Sequence, residues 1–254
     1  MTSPKTATRL GLIVLVLLAL PIMAHAGTKL SYAVHADAYQ MQGQQFPAHD
    51  DTAIYWLSGS KVRVDQADTA SFIFNIENDQ LLMLNHKDNS YTMVPIGAFE
   101  DIIMQRAGGD STAMAQAKSM MAMMQMKTKV NPTEETQTVN GYDCTKYIMQ
   151  VEIAMTTSET TLWTTQDIDV DVDLVMRGFQ AIKAFLPGFE DAMKEMQKVK
   201  GLPVKSTTTA TIMGITMNTT NELLNVDEGV DVSDSKFEIP KDYTQTQLEM
   251  PGMK

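Results

Sequence analysis

Between Leu30 and Val94 one pattern repeats: a short run of alternating apolar residues, then a polar turn. Leu30, Tyr32 and Val34 alternate in the first run, over residues 30–39. Residues 52–57 form a second, and Ser58, Gly59 and Ser60 supply a turn. Residues 61–65 follow, with Val62 and Val64 on one face and Arg63 on the other. Phe72, Phe74 and Ile76 align in the next run, and residues 81–85 and 91–94 complete the series. Strands joined by connections this short can pair only with antiparallel neighbours, so the pattern predicts a meander. Residues 40–51, polar and carrying Gly43 and Pro47, read as a loop.

The period then changes. Phe99, Ile102 and Ile103 fall at helical spacing within residues 96–106, and Gly108-Gly109 breaks that helix. Asp110 and Ser111 can cap a second helix reaching Met126, rich in methionine. Asn131 to Glu135, around Pro132, reads as a connector. Strands resume at Gln137, where Asn140-Gly141 marks a tight turn. A long amphipathic helix is expected after residue 173, with Val175, Phe179, Ile182, Leu186, Phe189, Met193 and Met196 on one stripe and a kink at Pro187-Gly188. Residues 204–213 and 215–224 form two Thr-rich strands around Gly214, and residues 237–240 a short one. Sheet alternating with helix, without crossover spacing, predicts an α+β fold: a curved antiparallel sheet with two or three helices over one face.

Lys5 and Arg9 precede an uncharged apolar run ending near Ala24-His25-Ala26. That is the layout of a secretion signal, cleaved after Ala26. The run is too short for a bilayer, which needs about 20 apolar residues, so no transmembrane segment is expected. Gly27 follows the cut where a lipoprotein would carry Cys. The expected product is one periplasmic or secreted domain over residues 27–243, with residues 244–254 as a flexible tail. Losing Lys5 and Arg9 moves the net charge from −11 to −13. A chain this acidic repels nucleic acid and anionic lipid headgroups. Cys144 is the sole cysteine, so there is no disulfide scaffold. It reads as a small buried strand residue; an intermolecular disulfide and a reactive thiol are the alternatives.

Four motifs carry a family resemblance. Residues 140–147, Asn-Gly-Tyr-Asp-Cys-Thr-Lys-Tyr, form the central one. The others are residues 61–65 running on to 90–95, then 201–205, then 237–243. In this order they resemble a secreted bacterial family known only as a domain of unknown function, related to the LolA-type periplasmic lipoprotein carriers. The resemblance implies an open half-barrel with helices against its concave face, and no established activity. It also implies a possible partner class, a lipid or an acylated protein. LolA-type carriers have an Arg-Pro on the second strand that helps gate their cavity; here Leu57-Ser58-Gly59 stands in that region.

Trp56, Phe72, Phe74 and Trp163 are candidates to line an apolar cavity, or to fill a closed core. Met120, Met124, Phe179 and Ile182 are the matching candidates on the helices. Methionine repacks around varied ligands, which suits acyl chains. The alternative chemistry is Cu(I) handling by the thioethers of Met120, Met121, Met123, Met124 and Met126. A third possibility is a ligand-free interaction domain. Asp167 to Asp173 alternates like a calcium loop, but Val172 stands where the loop needs Gly and Gly178 where it needs Glu. No resident metal or cofactor is expected. No nucleophile elbow, zinc-protease helix or phosphate loop is present, and with few histidines an enzyme is not expected.

Overall fold

The computed structural model describes residues 26–41, 43–78, 80–95, 125–170 and 188–247, together with Ser111, Thr112, Ala115, Ser119 and Ala122. The fold is one curved sheet of twelve strands, left open rather than closed into a barrel. β1 (Ala26–Ala36) stands near its middle. On one side lie β4 (His49–Ser58), β5 (Lys61–Gln66), β6 (Ala70–Asn75), β7 (Gln80–Asn85), β8 (Ser90–Pro95) and β14 (Thr244–Thr246). On the other lie β13 (Ile215–Asp231), β12 (Leu202–Ile212), β11 (Thr156–Thr165), β10 (Tyr142–Ile153) and β9 (Met126–Val139). Every pairing is antiparallel except β14 with β8. The meander expected from residues 30–94 is therefore present.

Several expectations are corrected. The loop expected over residues 40–51 holds a small hairpin, β2 (Tyr39–Met41) and β3 (Gln44–Phe46), with Tyr39 and Phe46 stacked 4.7 Å apart. The connector expected around Pro132 lies inside β9. β9 is an edge strand, where a residue without an N–H is tolerated. Met126 opens β9 rather than closing a helix. Residues 237–240 are not a strand: Asp234–Phe237 form a 3-10 turn. The tail expected to fray from Thr244 begins with β14.

One helix is described along its full length, α1 (Phe189–Met196). It begins afresh after Gly188, in left-handed conformation, where a kink within a longer helix was expected. The helix expected over residues 96–106 lies outside the described residues, as does the stretch 171–187. Ser111, Thr112, Ala115, Ser119 and Ala122 are helical and exposed, within the second expected helix. α1 buries Phe189 and Ala192 and packs along β9. Glu195 accepts a hydrogen bond from the Val130 N–H at 2.8 Å, giving that backbone donor a partner on the edge strand. Lys198 and that N–H together hold the Glu195 carboxyl below its ordinary pKa.

The sheet curls. Strands lie about 4.8 Å apart, so a flat sheet would put β10 roughly 14 Å from β13. Yet the Asn140 side chain in the β9–β10 turn donates to the Leu223 carbonyl on β13 at 3.3 Å. Register breaks between Thr145 and Tyr147 on β10, and between Trp163 and Thr164 on β11, supply the bend. Gly201 shows how tightly the elements meet. Its φ is +84°, and an added Cβ would lie 2.0 Å from the Thr165 carbonyl oxygen. Gly201→Ala is therefore expected to cost at least about 2 kcal/mol, lowering Tm by roughly 4–8 °C in thermal unfolding.

Candidate functional site

The inner face of the curl carries one continuous apolar cluster. Leu30, Leu57, Val62, Val64, Phe74 and Leu81 are its buried members on the β1–β7 side, and Leu223, Leu202, Val204, Val139 and Cys144 on the other. Tyr32, Tyr55 and Phe72 are half-buried against it. Ile168 and Val170, from the segment after β11, pack on it too. Alternation sorts charge away from this face. Lys29 on β1, and Lys61, Arg63 and Asp65 on β5, sit out of phase with Leu30, Val62 and Val64. Tyr32 and Tyr55 meet edge-to-face at 5.6 Å. Burial pushes both phenols above their ordinary pKa, and Tyr32 donates to the Pro203 carbonyl at 3.0 Å.

Phe72 and Phe74, two of the expected lining residues, lie on this inner face. Trp163 packs half-buried against the same cluster, with the Lys146 ammonium 5.9 Å from its ring. Trp56 does not join them. It pairs with Arg63 in register and faces the opposite side. Met120, Met124, Phe179 and Ile182 lie outside the described residues. So do Met121 and Met123, and Met126, half-buried at the start of β9, is the one member of the expected copper set that is described. Among the described residues no cluster of His, Cys, Asp and Glu could hold a metal ion. Cys144 is buried, and burial raises its thiol pKa. A depression of about 390 Å³ lined by Thr136, Gln137, Thr138, Asp143, Cys144 and Thr145 is open and contains none of the expected lining residues.

By alternation alone, the opposite face turns Arg63 to solvent. Instead the chain's own C-terminal segment covers it. Val232 and Phe237 are buried there against Ile73, Leu82 and Leu84, with Trp56, Tyr91, Ile239 and Tyr243 around them. Beneath this strap runs a polar chain. Arg63 donates through Nε to Asp65 at 2.5 Å, through Nη1 to the Lys236 carbonyl at 2.7 Å, and through Nη2 to Ser71 at 3.0 Å. The Trp56 indole donates to Asp65 at 2.9 Å. Ser71 Oγ is 2.6 Å from Asp65 and 2.6 Å from His86 Nε2, and His86 Nδ1 is 2.5 Å from the Tyr243 hydroxyl.

A serine beside a histidine invites a nucleophile assignment, but proton counting opposes it. Ser71 has one hydrogen, which goes to Asp65, so His86 Nε2 must donate to Ser71. In the neutral imidazole Nδ1 then accepts from Tyr243. The histidine has no vacant site to take a proton from Ser71, and Ser71 is fully buried. The network ties the strap to the sheet.

A family described as a domain of unknown function, DUF4412, matches residues 40–243. The chain belongs to the DUF4412 family. This agrees with the kind of family that the four motifs resemble. No curated protein matches the chain. Among solved structures, one similar to it is PNGF-II, at 14% identity and TM-score 0.38, covering 86% of this chain and 32% of that one. The chain thus spans about a third of the length of PNGF-II. Another is a DUF1329 family protein from Desulfovibrio piger, at 10% identity and TM-score 0.32, covering 84% and 89%. A third is a domain from Vibrio parahaemolyticus, provisionally ascribed to outer membrane lipoprotein sorting, at 8% identity and TM-score 0.31, covering 83% and 88%. Scores this low describe a loose likeness of shape.

Arg63 and Asp65 are largely buried, at 13% and 17% side-chain exposure. Removing one partner strands the other's charge. Arg63→Met in this DUF4412 member is expected to cost about 3 kcal/mol, read as a Tm drop of roughly 6–12 °C. Burial works to raise the Asp65 pKa, but hydrogen bonds from Ser71 and Arg63, the Arg63 charge and Trp56 outweigh it, and the pKa is lowered. A lowered folded pKa gives stability that is complete above the unfolded value, about 3.9, and lost as pH falls through the folded one. Urea unfolding of Asp65→Asn is expected to show a shallower loss of stability below about pH 4 than the parent.

Proposed function

We propose that this protein is a non-enzymatic module of the bacterial envelope, periplasmic or secreted, that holds an apolar ligand such as a lipid or an acyl chain inside the curl. The supporting observation is the aromatic inner face: Tyr32, Tyr55, Phe72 and Phe74 among aliphatic neighbours, with the β1 and β5 charges turned to the other side. Such a face gains about 25 cal/mol for each Å² of apolar surface withdrawn from water. Phe72 and Phe74 are proposed as ligand contacts, with Trp163 at the margin. Met120, Met124, Phe179 and Ile182 are proposed as further contacts. Trp56 is withdrawn from the set because it faces the strap.

Arg63 and Asp65 have no role toward this ligand, since both lie under the strap. Among the described residues no helix is long and apolar enough to cross a membrane. The test is native mass spectrometry of protein from its own periplasm, followed by titration with a fluorescent fatty acid. Bound lipid, or saturable binding weakened roughly tenfold by Phe72→Ala, is the expected result. Protein that arrives lipid-free and ignores the probe would leave a closed interaction domain instead.

A further inference from the structure

At the end of β10 away from Asn140, the sheet presents apolar side chains to water. Met155 is 67% exposed and Met213 is 69% exposed, and Ile212 beside it is exposed as well. Met155 sits in the β10–β11 turn and Met213 in the β12–β13 turn. The register of Thr156 with Ile212 puts these two turns side by side, one strand spacing apart. The β2–β3 hairpin comes up next to them: β2 packs against β13, Asp37 is hydrogen-bonded to Asn218, and Met41 is exposed near its tip.

Three features make this more than a scatter of surface residues. The turns favour other residue types. Ala154 and Met213 take positive φ, 51° and 50°, where Gly or Asn is preferred. The Asn140-Gly141 turn at the opposite end of β10 uses the favoured pair. Second, the tips are free of charge. No charged residue lies between Lys205 and Glu222, or between Glu152 and Glu159. The residues flanking the tips are largely threonines, whose hydroxyls can exchange water for other polar partners. Third, three aspartates, Asp37, Asp50 and Asp51, outnumber the two histidines they contact, His35 and His49, on the adjoining β1–β4 end. They discourage approach to an anionic surface.

We propose that these hairpin tips dock the protein on a neutral lipid bilayer, with Met155 and Met213 entering the interface between headgroups and acyl chains. A protein partner fits the observations less well. Stable protein interfaces bury about 800 Å² on each side in a shaped patch, whereas separate turns offer only a few side chains. A fluid interface needs no shape match, and flexible thioethers adapt to it. Leaving the tips uncharged avoids the cost of desolvating charges as they enter.

The experiment is flotation of the secreted form with phosphatidylcholine vesicles, with no fatty-acid probe present. The parent protein is expected to float with the vesicles. Met155→Asp/Met213→Asp is expected to bind at least tenfold more weakly with an unchanged circular dichroism spectrum and Tm, while Met155→Leu/Met213→Leu retains binding. Phosphatidylglycerol vesicles at low salt are expected to bind less protein than phosphatidylcholine. A parent that stays in solution, or an aspartate variant that floats equally well, overturns the proposal. So does binding confined to the anionic vesicles. A parent dimer that becomes monomeric in the aspartate variant would make the tips a contact between copies, which also overturns it. None of these outcomes bears on fatty-acid binding inside the curl.

Discussion

A twelve-stranded sheet has two faces and two edges, and each must be reconciled with water. That requirement organises the molecule. The inner face is made apolar and curled upon itself, far enough for Asn140 to reach Leu223. Over β4 to β8 the outer face is covered by the strap running from Val232 to Tyr243. α1 packs along the β9 edge, and at the other edge β14 is only three residues long. Short or covered edges are how open sheets avoid pairing with strangers.

The strap also explains why so strong a polar network lies on an outer face. Arg63 is out of phase with Val62 and Val64, so alternation alone puts it in solvent. Under the strap it loses that water and needs replacements. It finds three acceptors, in Asp65, Ser71 and the Lys236 carbonyl, the last supplied by the strap itself. Lys236 places its ammonium 4.4 Å from the centre of the Trp56 ring. Trp56 therefore serves as a floor for the strap. Aromatic side chains that look interchangeable in a strand pattern are divided between two jobs by one step of register.

The meander was legible because β5 to β8 obey alternation with short polar turns. The Asn140-Gly141 turn was legible because its chemistry permits little else. β9 was misread because an edge strand with one wet side has no strong period, and Pro132 with Glu134 and Glu135 resembles a break. The β2–β3 hairpin was missed because Gln40, Gln44 and Gln45 give it almost no apolar signal. The strap left a trace that could have been followed. Phe72 to Phe74 and Leu81 to Leu84 are apolar at successive positions, which marks strands covered on both faces. A second covered face gives Trp56 a place apart from Phe72 and Phe74. How the strap is anchored had no such trace, because His86 and Tyr243 meet only in the folded chain.

β1 holds the two halves of the sheet together, pairing with β4 on one side and with β13 on the other. Its partner in β4 arrives soon after it in the chain, but Val226, opposite Leu30, comes only after β4 to β12. As the chain emerges, the half from β4 to β8 can assemble while the free side of β1 stays unpaired. Folds governed by such distant pairings form slowly, and an unpaired strand is sticky while it waits. The assembly of this chain therefore depends on keeping one central strand solitary until nearly everything else has been delivered.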